Sequence, residues 1–200
     1  MLPQLLAWLH MTPLEVISAL VSLLGIWLTM RRLLVAWPVI ILSCILYGEF
    51  FREIHLYSDM LLQGVFALCS VYGWWHWYRG VQDEGAVTVL KLNRNGWLIG
   101  ILAGIFGSLA LGAFMARYTD ASLPWLDASL TSFSLVGQWW QARKYLENWH
   151  VWVAVDLIYI GEYLWKQVPI TAALYAIFVL MAVFGLRDWQ RARAAQVRAA

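Results

Sequence analysis

Seven apolar runs, each about as long as a bilayer is thick, limit this sequence more than any other feature. They cover residues 13–30, 33–51, 57–78, 96–116, 122–142, 149–166 and 169–187. A helix needs roughly 17–25 apolar residues to cross the hydrocarbon core. Within lipid a segment must satisfy its own backbone groups, which a helix does internally. The runs therefore predict an all-α integral membrane protein with seven transmembrane helices. Composition agrees: 62% of the 200 residues are hydrophobic and 13% charged, against about 25% charged in a soluble domain. The 14 tryptophans suit a chain that meets membrane–water boundaries. A net charge of +2 gives no reason to expect a nucleic-acid partner. Pro13, Pro124 and Pro169 fall near predicted helix starts, and Pro38 lies about a turn inside the second run, where it can bend the helix. Residues 2–12 are too short to span and are expected at the interface.

The basic residues predict an orientation. One set of loops holds Arg31, Arg32, Arg79, Lys91, Arg94, Arg143 and Lys144, joined by Arg187, Arg191, Arg193 and Arg198 near the C-terminus. The opposite set holds Arg52, Arg117 and Lys166. That bias predicts an N-terminus on the outside and a C-terminus in the cytoplasm. The polar stretch 79–95 is the expected boundary between two halves.

Those halves repeat. A shift of about 112 positions lays residues 14–79 on 126–191 without a gap. It pairs Ser22 with Ser134, Gly25 with Gly137, Trp27 with Trp139, Arg31 with Arg143 and Trp37 with Trp149. Tyr47 then meets Tyr159, Phe66 meets Phe178, Gly73 meets Gly185, Trp77 meets Trp189 and Arg79 meets Arg191. Three helices per repeat would leave the second repeat inverted, and the helix predicted at 96–116 restores its direction. The expected architecture is two parallel three-helix repeats joined by a linker helix, 3+1+3, as in SWEET transporters. Its parts are residues 1–95 (interfacial segment, first bundle and loop), 96–121 (linker) and 122–200 (second bundle and basic tail). Gly96, Gly100, Gly104, Ser108 and Gly112 place a small residue at every fourth linker position. Such a seam admits a close helix neighbour, in the same protomer or in another.

The sixth run carries the densest chemistry. Trp149, Trp152, Asp156, Tyr159 and Tyr163 are spaced 3, 4, 3 and 4 apart, which puts them on one side of a helix. An acid within an apolar span points to a bundle interior or a wet cavity. Flanking aromatic rings suit a flat, polar or cationic small molecule. Trp149 and Tyr163 also fit an interfacial belt, and Asp156 also fits a structural partner on another helix. Asp156 corresponds to Cys44 in the first repeat, so the expected site is asymmetric. Gln63, Gln138 and Gln141 are polar enough to line the same cavity, and Gln63 falls opposite Tyr175 in repeat register. Glu49 and Glu162, near outer helix ends, are expected to face water or headgroups.

Catalytic chemistry finds little support. His10, His55, His76 and His150 are scattered without ligand spacing, so no metal is expected. Cys44 and Cys69 sit in apolar runs and read as buried small hydrophobes. Walker loops, dinucleotide fingerprints and serine elbows are missing from the sequence, and neither enzyme activity nor a cofactor is expected.

With these residues assembled, the chain resembles the PnuC family of bacterial vitamin transporters. The resemblance covers nearly the whole sequence and is most specific at YGWWHW (72–77), ARKYLENWHVWVAVD (142–156), LYAIF (174–178) and RDW (187–189). It implies two three-helix bundles around a linker, a homotrimer with one pathway per protomer, and facilitated diffusion of nicotinamide riboside without ATP. It also implies a cytoplasmic kinase that traps the vitamin and so feeds NAD salvage. By motif, Trp149 and Trp152 flank the substrate, and Gln63 and Tyr175 contribute from the third and seventh helices. The family often has Asn where this chain has Asp156. An ionised Asp only accepts hydrogen bonds, which suits a pyridinium and equally suits thiamine, the alternative substrate.

Overall fold

The computed structural model describes residues 12–53, 57–119, 122–167 and 169–199. Among these residues it forms seven helices: α1 (Pro13–Met30), α2 (Ala36–Glu53), α3 (Tyr57–Glu84), α4 (Arg94–Tyr118), α5 (Pro124–Ala142), α6 (Asn148–Trp165) and α7 (Pro169–Ala199). Helix starts follow local chemistry. Thr12 caps α1 by accepting the Glu15 N–H at 3.1 Å, and Asn93 caps α4 by accepting the Gly96 N–H at 2.7 Å, which satisfies amides that have no intrahelical partner. Pro13 and Pro124 occupy first-turn positions. After α3 the chain turns through Gly85 at φ 75°, the left-handed region that glycine adopts freely. Arg32, Lys144 and Gln167 take the same region at φ 57°, 64° and 62°.

Two helices outrun the apolar pattern. α3 continues to Glu84 and α7 to Ala199, past the predicted ends at 78 and 187. The extra turns of α7, DWQRARAAQVRA, contain no glycine or proline and are rich in strong helix formers. A basic tail is thus a helical extension. The expected 79–95 loop shrinks to residues 85–93, and part of it is an extended segment. Leu90 makes an isolated parallel bridge to Tyr145, with Leu90 N donating to Lys144 O and Leu146 N donating to Leu90 O, both at 2.9 Å. The interfacial segment expected at 2–12 lies, apart from Thr12, outside the described residues.

The chain forms two compact units, residues 1–87 and 88–200. In the first, α2 packs against both α1 and α3. In the second, α4 packs on α5, α5 on α6 and α6 on α7. The small-residue seam of α4 is used within this unit. A Cβ at Gly100 would lie 2.1 Å from Trp140, one at Gly104 2.5 Å from Phe133 and one at Gly112 2.4 Å from Trp125. Bulky α5 side chains therefore fill the notches.

Each unit is locked by a tryptophan pair. Trp37 of α2 meets Trp77 of α3 edge-on, with centroids 5.2 Å apart and planes at 89°. Trp149 of α6 meets Trp189 of α7 in the same way, at 5.6 Å and 87°. All four rings are fully buried. A Cβ at Gly73 would come within 2.3 Å of Trp37, and one at Gly185 within 2.6 Å of Trp149. The 112-residue offset found in the sequence links every member of the two locks. It also links Arg31 over Trp27 (5.8 Å) to Arg143 over Trp139 (5.7 Å), and the left-handed Arg32 to Lys144.

The exterior is apolar. Phe106 on α4 is 75% exposed, and Leu20, Ile45, Leu61, Leu68, Ile99 and Leu180 are similarly open, as lipid-facing residues are. By length and composition alone, α1, α4 and α7 can cross a membrane. The others have at least 18 residues, about 27 Å at 1.5 Å per residue, but carry more polar side chains.

Candidate substrate-binding site

The α5–α6 connection sets the register of the site. The chain turns at Arg143 and Lys144, and Glu147 accepts the Leu92 N–H at 3.0 Å. Asn148 donates through its side-chain amide to Tyr145 O at 2.6 Å. The extended segment around Leu90 and the start of α6 are thereby fastened together. One turn into each helix, Trp152 Nε1 donates to Gln141 Oε1 at 3.1 Å. Gly137 keeps the helices close, since a Cβ there would lie 3.1 Å from Val151 and 3.5 Å from Trp152.

One further turn from the connection, α5 carries Gln138 and α6 carries Asp156. Both are buried, and Asp156 is 7% exposed. Asp156 has no salt-bridge partner among the described residues. A carboxylate removed from water and left without a cation is costly, so a bound cation or a set of donors would stabilise it. Beyond Asp156 the surface becomes aromatic. Tyr159 and Tyr175 sit 4.7 Å apart, Tyr163 stacks on Tyr175 at 5.3 Å and on Tyr159 at 6.0 Å, and Phe178 closes edge-on against Tyr175 at 5.5 Å. The candidate seam of the second unit joins Gln141 to Trp152 and Tyr159 to Tyr175; Asp156 lies between Trp152 and Tyr159 along α6, and Gln138 one turn from Gln141 along α5.

Two expectations meet a different placement. Trp149 is 2% exposed, with one side against Gly185 and its ring met by the edge-on Trp189. This leaves no open face for a stacked ligand in this conformation. The repeat held the signal, because Trp37, Gly73 and Trp77 recur at the same offset. Glu162 does not face water: it is 6% exposed and is paired with Lys166. Asp127, in the first turn of α5, also lies within electrostatic reach of that lysine. Glu49 is exposed and paired with Arg52, as its place near a helix end suggests. Gln63 belongs to the first unit, on α3, where its Cβ is 3.9 Å from the Cβ position of Gly48. His10 and His55 lie outside the described residues. Among the described residues no three His, Cys, Asp or Glu side chains gather as metal ligands.

Residues 12–191 match the family model described as nicotinamide mononucleotide transporter. The chain belongs to that family. Its members are transporters, not enzymes, and with the apolar helices this makes the chain a multi-pass membrane protein. It is 29% identical to the riboflavin/roseoflavin transporter RibM of Streptomyces davaonensis, over 88% of this chain and 83% of the relative. It is 25% identical to the nicotinamide riboside transporter PnuC of Escherichia coli, over 88% of this chain and 84% of that protein. The fold matches the crystal structure of the vitamin B3 transporter PnuC with a TM-score of 0.74 at 19% identity, covering 94% of this chain and 83% of the other.

Proposed function

We propose that this protein takes up nicotinamide riboside across the bacterial inner membrane by facilitated diffusion. The observation that carries the reading is the buried, unpaired carboxylate of Asp156 between Trp152 and the tyrosine cluster. A pyridinium ring brings the charge that this carboxylate lacks and a flat face for aromatic contact. Its carboxamide and ribose offer donors that Asp156 can accept. Trp152, held by Gln141, stacks on the ring, while Gln138, Tyr159 and Tyr175 orient it. Trp149, held edge-on by Trp189, anchors the start of α6 one turn before Trp152. The likeness to PnuC of Escherichia coli supports the choice of vitamin.

The architecture proposed with this function is 3+1+3 in the SWEET manner, with residues 1–95, 96–121 and 122–200 as first bundle, linker and second bundle. The protein works as a homotrimer, N-terminus in the periplasm and C-terminus in the cytoplasm. No ATP is spent in transport itself. A cytoplasmic kinase phosphorylates the vitamin, keeps the inward gradient and feeds NAD salvage.

A second reading is riboflavin, favoured by the 29% identity to RibM. Riboflavin is flat and neutral, and its ring N–H can donate to Asp156. The test is uptake into proteoliposomes of the purified chain, with labelled nicotinamide riboside, riboflavin and thiamine side by side. Saturable uptake of the riboside alone is the expected result. Uptake of riboflavin or thiamine alone reassigns the substrate, and no uptake of any of them refutes transport by this chain on its own.

A further inference from the structure

Beyond Trp189 the helical extension of α7 supplies no residue to the proposed vitamin site. It lines a cavity of about 360 Å3 with Gln190, Arg193, Ala194, Val197 and Arg198, opposite Leu146 of the α5–α6 connection. These α7 positions fall at i, i+3, i+4, i+7 and i+8, one face of the helix. Two cationic side chains, Arg193 and Arg198, flank the apolar Ala194 and Val197 along it. The basic residue just off this face, Arg191, pairs with Asp188 at 3.7 Å. Arg193 and Arg198 have no carboxylate partner among the described residues. The wall is also tethered. Gln196 accepts the Val89 N–H at 3.2 Å, and Leu90 bridges the connection that supplies Leu146.

We infer that this cavity binds a phosphate group carried on an apolar or aromatic body. Two guanidinium forks match phosphate oxygens in geometry and charge, Gln190 adds a further donor, and Leu146, Ala194 and Val197 cover the non-polar part. Its position admits two sources of that chemistry. The apolar run of α7 ends at Arg187, and the extension rises about 18 Å beyond it at 1.5 Å per residue. The headgroup layer is only about 6 Å deep, so the cavity begins among lipid phosphates and reaches past them into water.

The full-length chain is placed in phosphatidylcholine nanodiscs and titrated with adenosine monophosphate. In parallel, protein purified from cells is examined by native mass spectrometry for retained phosphatidylglycerol. Both are repeated with Arg193→Gln/Arg198→Gln and with Arg191→Gln. Saturable nucleotide binding, at least about ten-fold weaker in the double variant and unchanged in Arg191→Gln, supports a soluble phosphate ester. Retained phosphatidylglycerol that disappears in the double variant alone supports a lipid headgroup. If neither probe binds, if the double variant binds like wild type, or if Arg191→Gln loses as much, the inference is overturned. Should the double variant aggregate, Arg193→Lys/Arg198→Lys keeps the charge but removes the forks. A measurable loss of affinity is then expected, and unchanged affinity counts against the site.

Discussion

The two units share one lock and differ in one seam. Trp37, Gly73 and Trp77 in the first unit have the geometry of Trp149, Gly185 and Trp189 in the second. Tyr47 stacks near Phe51 at 6.0 Å and 23°, as Tyr159 does on Tyr163 at 6.0 Å and 26°. Between these matched layers the chemistry diverges. Ile26, Thr29, Ile40 and Cys44 stand where the second unit has Gln138, Gln141, Trp152 and Asp156. The first unit closes its α1–α2 interface with a Ser22–Ser43 hydroxyl hydrogen bond at 2.5 Å, and Val155 replaces the second serine in the other unit. Packing positions answer to the shape of neighbouring helices, so both copies keep them. Positions proposed to meet a small molecule are under no such constraint, and one copy suffices for the proposed site.

The comparison can be broken most sharply at the locks. Gly73→Val and Gly185→Val each force a side chain into a tryptophan ring, with at least a Cβ contact near 2.3 or 2.6 Å. Each should cost about 1–3 kcal/mol or more from overpacking, seen as a lower melting temperature in detergent. If only one does, the locks are not equivalent.

Next come the paired positions of the seam. Asp156→Ala removes a charged acceptor worth about 1.5–3 kcal/mol, a loss of roughly 10- to 100-fold in vitamin affinity. Cys44→Ala, at the matched place in the first unit, should change affinity less than about two-fold, within the range of a distant substitution. Equal losses in a binding titration would mean that both units contribute polar chemistry.

A smaller effect is expected at Trp152→Phe, which keeps a ring but deletes the hydrogen bond to Gln141 at 3.1 Å. Losing about 0.5–1.5 kcal/mol predicts a two- to ten-fold weaker ligand, and Gln141→Leu should produce a similar change. The smallest effect on binding belongs to Trp149→Phe. Its cost should appear in melting temperature, with ligand affinity nearly preserved. A large affinity loss in a stable Trp149→Phe protein would return that ring to direct contact with the substrate.

Much of this was legible in the sequence. Apolar runs located all seven helices because lipid-facing surface needs hydrophobic residues nearly all round. The runs gave poor helix ends, because 188–199 is polar yet rich in helix formers with no Gly or Pro, and α3 runs on through Gly80 to Glu84. The 112-residue offset was readable, but the edge-on geometry of Trp149 with Trp189 was not. Periodicity reports a shared helix face without saying which neighbour covers it. Glu162 was misplaced for a related reason. A helix end suggests water, whereas Lys166 one turn later reaches back and pairs with the acid. The Asp156 stripe was visible because an acid in an apolar run stands out. The supporting residues Glu147 and Asn148 were not, because their partners Leu92 and Tyr145 carry no distinctive side-chain signal.

The most direct test is a tryptophan-fluorescence titration of the purified full-length protein with nicotinamide riboside, run on wild type, Asp156→Ala and Cys44→Ala. The account predicts saturable quenching in wild type and Cys44→Ala, and at least about ten-fold weaker binding in Asp156→Ala. Wild-type affinity in a folded, monodisperse Asp156→Ala protein would contradict it and move the vitamin away from the second unit's seam.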